Sequence, residues 1–329
     1  MKISCAFPTT MSSHEDIRIA EEIGYHWAWL YDTPQNSPDV WVSLALAAER
    51  TKRIGLGPGV LVPTLRHPMT NAAATATLVE LAPGRVAVSF GTGFTGRRAM
   101  GYRAIPWSFM TAYIDAYCGL LRGDIVEWEG ARMQMLQPDG SGAPRPVDVP
   151  ILIGALGPKG RAIAEKFDGV FAATTVEGIE PGAFDWVAFL YWGTVLDQGE
   201  SLDGERVRLA GGPGGAIAYH ATYELAGADA VLTLPGGKEW LATVMSVPEN
   251  ERHLSVHVGH CIHLNKADEA AWAVTGGSLL PTTTLTGTAA EVRARAEQLA
   301  EQGVTEMVYQ PAGPNPRREL ETMYNALSK

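Results

Sequence analysis

Glycine and small hydroxyl residues are concentrated in two short segments that could bind a phosphate group. The first, Gly91-Thr-Gly-Phe-Thr-Gly96, follows the apolar run Val86–Phe90, and the second begins at Gly154 after another apolar run. Glycine lets the backbone approach a ligand closely, and N–H groups at helix starts attract anions. Both segments are therefore candidate phosphate-binding turns, with ordinary tight turns as the alternative.

The first of these segments also matches the GxGxxG pattern of dinucleotide-binding sites. Three strand–helix units precede it, however, and Asp115 lies within a helical run, whereas a dinucleotide fingerprint belongs to a first unit followed by an acid at the end of the next strand. The pattern thus favours a phosphate-binding turn over a Rossmann site. Arg97 and Arg98 follow it, either as counter-charges or as part of a solvated helix face.

Histidines provide a second candidate for chemistry. Four of the eight lie in the run His253-Leu-Ser-Val-His257-Val-Gly-His260-Cys-Ile-His263. Zinc needs three or four convergent ligands, and no cysteine pair or carboxylate completes such a set nearby, so we expect no metal. The branched residues between the histidines predict extended structure, with His257 and His263 on one face. His257 and His260 are candidates for the substrate mouth, with ordinary packing as the alternative.

Two titratable residues follow the first two apolar runs. Asp32 ends the run Trp27–Tyr31 and is the acid at a position otherwise poor in charge. His14 is the first titratable side chain after the run Ile3–Pro8, and histidine is a residue type suited to general acid catalysis. Its alternative role is that of a surface residue at a helix start.

Short apolar runs alternate with helical patterns along the chain. Eight runs predict parallel strands: Ile3–Pro8, Trp27–Tyr31, Ile54–Leu61, Val86–Phe90, Ile151–Gly154, Val170–Ala173, Val207–Gly211 and Met307–Gln310. Helical spacing predicts helices that end at Gly24, cover 40–50 and cover 72–81. Eight such units without a linker predict one (β/α)8 TIM barrel domain over residues 1–329.

Two insertions interrupt the alternation. Residues 125–136 predict a β-hairpin, and residues 212–285 predict helices over the barrel mouth. Since barrel active sites lie at the carboxyl ends of the strands, the residues described above are expected to meet there.

Composition excludes several classes of protein. The chain of 329 residues has 26 basic and 36 acidic side chains, a net charge of −10, and 46% apolar residues. This balance is globular, and its acidity argues against nucleic acid or anionic lipid as a partner. The three cysteines are far apart in the sequence, the first apolar run lacks the length expected of a signal peptide, and no 20-residue apolar stretch occurs in the sequence. We expect a cytoplasmic protein, without a membrane partner, that acts on a small molecule.

The chain resembles the bacterial luciferase-like superfamily of flavin and deazaflavin oxidoreductases. The motifs are Ala20–Gly24, Glu49–Gly55, Gly59–Pro68, Pro83–Arg85, Gly91–Gly93, Gly287–Val292 and Pro311–Gly313. The third-strand motif and the closing segment Ala312-Gly-Pro-Asn-Pro-Arg-Arg318 are most similar to the branch that uses coenzyme F420.

The resemblance implies the same barrel and a cofactor at its mouth. In relatives, a non-prolyl cis peptide after the third strand, here Gly59–Val60, bulges against the central ring of the cofactor. The acid that ends the second strand, Asp32, touches the ring edge in the deazaflavin branch. The residues implied to hold the cofactor phosphate are Thr92, Gly93, Gly154, Ala155 and Gly157.

The chain departs from the sugar-phosphate dehydrogenases of that branch in three places. Phe94 stands where they carry an acid, Thr175-Val-Glu177 stands where they carry a phosphate-binding lysine, and Thr10 lies near the position of a missing catalytic acid. A sugar phosphate is therefore disfavoured, and a more apolar pocket is expected. Its candidate lining residues are Thr10, Phe94, Thr175, His257 and His260.

The resemblance implies a coenzyme F420-dependent oxidoreductase that transfers a hydride between the deazaflavin and a small, fairly apolar organic substrate. An FMN-dependent monooxygenase that uses reduced flavin and O2 is the first alternative, and a non-catalytic flavin-binding relative is the second. Relatives usually form dimers, so a homodimer is also implied.

Overall fold

The protein is described by a computed structural model that covers residues 1–138, 140–155 and 157–328. Its main sheet contains eight parallel strands, and a separate antiparallel pair forms a hairpin. The strands are β1 (Lys2–Phe7), β2 (Trp27–Leu30), β3 (Gly55–Pro58), β4 (Val88–Gly91), β5 (Val126–Trp128), β6 (Ala131–Met133), β7 (Ile151–Gly154), β8 (Gly169–Ala173), β9 (Trp186–Tyr191) and β10 (Glu306–Tyr309).

The sheet closes into a barrel. Its strand order is β3-β2-β1-β10-β9-β8-β7-β4, and parallel bridges from Leu56 to Val86 and from Leu61 to Phe90 join the two ends. The prediction of a (β/α)8 barrel is therefore confirmed. The hairpin β5–β6 occupies the first predicted insertion.

Helices surround the barrel and also form the long segment between β9 and β10. They are α1 (Ser13–Ile23), α2 (Val40–Arg50), α3 (Pro68–Leu81), α4 (Phe94–Arg98), α5 (Trp107–Arg122), α6 (Pro158–Ala164), α7 (Glu205–Ala226), α8 (Ala228–Val231), α9 (Gly237–Met245), α10 (Arg252–His257), α11 (Lys266–Thr275), α12 (Leu280–Thr283), α13 (Ala289–Glu301) and α14 (Pro316–Leu327). Helix α1 ends at Gly24, whose φ of 117° is accessible to glycine at little cost. Among the described residues, no helix is long and apolar enough to cross a bilayer.

The predicted position of the seventh strand is wrong. Residues 207–211 lie in α7, and β9 supplies the seventh barrel strand. Helix α7 contains several glycines, and they allow it to pack very closely on the barrel. A β-carbon added at Gly214 would lie 2.3 Å from Cβ of Trp192. Glycine has a poor helix propensity, so the sequence of this segment favours a strand followed by a turn. In the structure, tertiary packing outweighs that propensity.

The lower barrel interior is filled by aromatic side chains around one buried carboxylate. Trp29 packs against Phe171, with ring centroids 5.2 Å apart. Glu306 accepts hydrogen bonds from Nε1 of Trp29 at 3.1 Å and from Nε1 of Trp186 at 2.6 Å. Phe171 also lines a cavity at the carboxyl ends of the strands, so this layer lies at the floor of that cavity.

Candidate active site

A cavity of about 390 Å³ opens at the carboxyl ends of the strands. Residues that follow β1, β2, β3, β4, β7, β8 and β9 contribute to its wall, and α7 and the turn after α10 complete it. The apolar side chains in the wall include Val60, Val62, Phe94, Trp107, Phe171, Leu190, Trp192, Ile217 and Leu225. Among the described residues, the charged side chains that line it are those of Asp32 and Arg98.

Val60 provides a fixed apolar surface within this cavity. The Gly59–Val60 peptide bond is cis, as the resemblance implies. A β-carbon added at Gly91 would lie 2.6 Å from Cγ2 of Val60, and one added at Gly154 would lie 3.3 Å from Cγ1. Carbon atoms normally pack at about 3.5–4.0 Å, so glycine at the ends of β4 and β7 makes the room that Val60 occupies.

We use the term glycine rim for the cavity wall formed by Gly91, Thr92, Gly93, Gly154 and Gly157. All five line the cavity. Gly93 has a φ of 86°, which glycine adopts readily, and a β-carbon added at Gly157 would meet no atom within 4 Å. Apart from Thr92, the rim therefore presents backbone rather than side chains to a ligand.

Ala155 differs from the other residues implied to bind phosphate. It is buried and does not line the cavity. Its Cβ lies close to α6, since a β-carbon added at Gly160 would be 2.8 Å away from it. Ala155 therefore packs against the first turn of α6.

Asp32 is held in the cavity wall by a buried ion pair. Its carboxylate accepts two hydrogen bonds from Nη1 of Arg66, at 2.7 and 2.8 Å, and Nη2 of Arg66 reaches Asp39 at 2.6 Å. Burial raises the pKa of Asp32, and the Arg66 guanidinium opposes that rise. Arg66 belongs to the third-strand motif, but its spacing from Asp32 carries no signal of this pairing.

The turn after α10 is tied to the barrel through Gln310. The Gln310 side chain accepts hydrogen bonds from the Tyr31 hydroxyl at 2.7 Å and from Nε1 of Trp192 at 2.5 Å, and it donates to the Cys261 carbonyl at 2.5 Å. A further bond runs from Nδ2 of Asn36 to the His257 carbonyl at 3.0 Å. These bonds fix the turn against the cavity.

The extended structure expected for residues 253–263 is wrong. Residues up to His257 form α10, and a turn follows in which Cys261 has a φ of 64°. Nδ2 of Asn265 donates to the Val256 carbonyl at 3.1 Å and so satisfies a carbonyl near the helix end. Local packing and this hydrogen bond thus override the strand preference of the valines.

His257 is buried behind the cavity rather than in its wall. Its Nε2 lies 3.0 Å from Oε1 of Glu224, and Glu224 also pairs with Arg98, which lines the cavity. Burial lowers the pKa of His257, and Glu224 opposes that shift.

His260 lies in the wall and contacts a buried polar network. Its Nδ1 lies 2.6 Å from Nδ1 of His220, and Nε2 of His220 lies 2.9 Å from Oδ1 of Asp268. Burial lowers the pKa of His260 well below its ordinary value, and the neighbouring His220 and His257 lower it further. His220 and Asp268 were missed in the sequence because 40 and 48 residues separate the bonded pairs and no local pattern links them.

The other predicted site residues divide into two groups. Phe94 lines the cavity, with the Arg98 guanidinium 5.4 Å from its ring centroid. Thr10, His14 and Thr175 lie outside the cavity wall. Thr10 bonds to neighbouring serines, His14 lies 3.6 Å from Glu15, and the exposed Thr175 accepts a hydrogen bond from the Glu177 amide. Within the described residues, no group of three ligating side chains is arranged to hold a metal ion.

A (β/α)8 barrel with an apolar cavity at the strand ends is an architecture typical of enzymes. The chain belongs to the luciferase-like monooxygenase family, whose model matches residues 14–306. This confirms the family resemblance that the sequence motifs indicate.

Individual relatives are similar over different shares of the chain. A 5,10-methylenetetrahydromethanopterin reductase of Methanolobus tindarius is 25% identical, with 92% of this chain and 91% of the relative covered. An F420-dependent glucose-6-phosphate dehydrogenase of Beutenbergia cavernae is 31% identical over 49% of this chain and 52% of its own length. The solved coenzyme F420-dependent tetrahydromethanopterin reductase of Methanopyrus kandleri superposes with a TM-score of 0.68 at 19% identity, covering 100% of this chain and 99% of its own, and it shows the shared fold.

Proposed function

We propose that this protein is a coenzyme F420-dependent oxidoreductase that exchanges a hydride with a small, fairly apolar organic substrate. The observation that carries the proposal is the pairing of an apolar surface at Val60 with the backbone-lined glycine rim in one cavity. A flat ring with a phosphate tail needs both features. When bound, the deazaflavin supplies a hydride donor or acceptor.

The residues present fit such a cofactor. Val60 offers a van der Waals surface for a ring, because its side chain is immobilised between the ends of β4 and β7. The rim offers main chain without large side chains, and open space at Gly157, for a phosphate. Asp32, held by Arg66, presents a carboxylate at the cavity wall for a polar ring edge.

The substrate side of the cavity supports the expectation of an apolar substrate. Ile217, Ala221 and Leu225 project from one face of α7 into the wall, and Trp192 faces the cavity from the end of β9. Burial of a substrate against these side chains excludes water from the reacting atoms. The charged side chains of the wall, Asp32 and Arg98, both have ion-pair partners.

Binding of coenzyme F420 tests the proposal. Titration of the purified protein with F420 and with FMN, followed by fluorescence, is expected to show saturable binding of F420 and at least tenfold weaker binding of FMN. Gly157→Val, which fills the open space at the rim, is expected to weaken F420 binding at least tenfold. Thr10→Val, which lies outside the cavity wall, serves as the matched control and is expected to bind normally.

Two outcomes would overturn the proposal. Preferential binding of FMN, together with oxygen uptake when reduced FMN and a substrate are supplied, would identify a flavin monooxygenase. Binding of a cofactor that no donor reduces would identify a non-catalytic member of the family.

A further inference from the structure

We propose that His260 is a catalytic acid–base residue, with His220 and Asp268 as positioning residues, and that the substrate is accordingly an alcohol or the carbonyl compound formed from it. This inference rests on the proposed function, because oxidation of an alcohol requires a hydride acceptor next to the substrate, and reduction of a carbonyl requires a hydride donor there. Hydride transfer at an alcohol carbon also requires transfer of the hydroxyl proton, and a histidine in the wall can accept it. We call His260, His220 and Asp268 the histidine relay.

The hydrogen bonds of Asp268 determine which atom is the donor in each contact of the relay. Oδ1 accepts from Nε1 of Trp240 at 2.8 Å and lies 2.9 Å from Nε2 of His220, and Oδ2 accepts from the Asn265 amide at 3.0 Å. A carboxylate with these donors is an acceptor toward His220. Nε2 of His220 must therefore carry the proton that it donates to Asp268.

The two imidazoles then have defined tautomers. A neutral His220 that is protonated on Nε2 has a lone pair on Nδ1, so Nδ1 of His260 must donate across the 2.6 Å contact. Nε2 of His260 is left as a proton acceptor. Because His260 lines the cavity while His220 is only 1% exposed, this acceptor is the ring nitrogen available to a bound substrate.

The histidine relay also stabilises the positive charge that forms when His260 takes up a proton. A proton taken up at Nε2 of His260 allows the proton on Nδ1 to pass to His220. The imidazolium then lies against the Asp268 carboxylate rather than in the apolar cavity. Such pairing offsets the burial that otherwise disfavours a charged His260.

The charged and titratable groups around His260 come from three elements. His220 contacts it from α7, and His257 from α10 lies with its ring centroid 5.6 Å away. Cys261 is adjacent in the same turn and is buried. Asp268 at the start of α11 is the carboxylate that faces the pair, whereas Glu224 is bonded to His257 and Arg98.

The proposed step balances in protons and electrons. In alcohol oxidation, the substrate O–H bond breaks, its proton goes to Nε2 of His260, and its electron pair forms the second carbon–oxygen bond. The carbinol C–H bond breaks at the same time, and its hydrogen leaves with the electron pair as hydride, which a bound deazaflavin would accept. The reverse step protonates the carbonyl oxygen from His260.

The tautomers can be tested without cofactor. Long-range 1H–15N spectra of the full-length protein, with signals assigned by their loss in His260→Gln and His220→Gln, are expected to show protonation of His260 on Nδ1 and of His220 on Nε2. Asp268→Asn is expected to shift the His220 ring signals and, through them, those of His260. Protonation of His260 on Nε2 would overturn the relay, whatever cofactor the protein uses.

Activity tests the chemical role with F420 and two probe substrates, 2-butanol and cyclohexanol. His260→Gln is expected to lower kcat for alcohol oxidation about 10²–10⁴-fold while the Kd for F420 changes less than twofold. Asp268→Asn is expected to lower kcat while KM for the alcohol changes less than twofold, since His220 loses the carboxylate that orients its ring. His253→Gln, on α10 outside the cavity wall, is the control and is expected to match the wild type.

The outcomes separate the two proposals. Failure of the wild type to bind F420 would overturn the proposed function, and the spectra would still decide the tautomers. Normal F420 binding without oxidation of either alcohol, or equal kcat in His260→Gln and the wild type, would overturn the inference alone.

Discussion

The glycine rim and His260 of the histidine relay lie in two walls of one cavity, and these walls are built in opposite ways. The rim consists of backbone at the ends of β4 and β7, where glycine removes side chains so that Val60 and a ligand have room. The relay consists of side chains from α7, α11 and the turn after α10, all within the segment between β9 and β10. The barrel thus shapes one wall, and a helical insertion supplies titratable groups to the other.

The difference between the two walls indicates how a barrel can retain one cofactor while its substrate chemistry changes. A wall made of main chain depends on strand ends that the sheet already fixes, so it suits a cofactor that stays the same. A wall made of insertion side chains can be altered without moving a strand, so it suits substrate chemistry. Changes at the rim are therefore expected to affect cofactor binding and stability, and changes in the relay are expected to affect turnover.

The largest stability effect is expected at the ion pair on the barrel side. Arg66→Met leaves the buried Asp32 carboxylate without its cation, and this is expected to lower the free energy of unfolding by about 3–5 kcal/mol. Urea unfolding measures the loss. Arg50→Met, which removes an exposed ion pair with Glu15, is the control and is expected to cost about 0–1 kcal/mol.

The pH dependence of that loss sharpens the test. Without Arg66, the pKa of Asp32 in the folded state rises further above its unfolded value, because burial is no longer opposed. As the pH falls, Asp32 therefore binds a proton in the folded variant before it does so in the unfolded chain. The loss of unfolding free energy caused by Arg66→Met is accordingly expected to shrink between pH 7 and pH 5. A deficit that stays constant over this range would contradict the assignment of a buried, unpaired carboxylate.

The next largest effect is expected at the glycine rim. Gly91→Ala places a β-carbon 2.6 Å from Cγ2 of Val60, so Val60 or the strand end must shift. Overpacking of this kind is expected to cost about 1–3 kcal/mol in unfolding free energy and to weaken F420 binding at least tenfold. Urea unfolding and fluorescence titration measure the two quantities.

Gly157→Ala provides the matched comparison. Its new methyl group meets no protein atom within 4 Å, so stability is expected to stay within about 0.5 kcal/mol of the wild type. If both alanine variants lost the same stability, close packing around Val60 would not be the cause.

The same contrast explains what the sequence could predict. The ends of β4 and β7 are marked by glycine directly after apolar runs, and such local signals predict both the strand and the rim. Apolar runs in the sequence predict seven of the eight barrel strands near their observed positions. The missed strand, Trp186–Tyr191, was replaced by residues 207–211, because glycine-rich helix α7 has the local pattern of a strand followed by a turn.

The relay could not be predicted for a different reason. His220 lies inside α7, and Asp268 belongs to the capping box of α11, where its carboxylate also has an ordinary structural role. Their meeting with His260 depends on the packing of three helical segments and on Gln310, which bonds the turn to the barrel. No spacing in the sequence indicates such long-range packing, whereas the family motifs include residues of the glycine rim.

The smallest expected effect concerns the joint between the two walls. Nδ2 of Asn36, in the loop after β2, donates to the His257 carbonyl at 3.0 Å and so ties the start of the turn to the barrel side. Asn36→Asp keeps the size of the side chain but removes the donor, which is expected to cost about 0.5–1.5 kcal/mol. Hydrogen exchange is expected to speed up in residues 252–263 and to stay unchanged in β4 and β7. Faster exchange in β4 and β7 as well would mean that the two walls respond as one unit, and this would contradict the view that they are structurally independent.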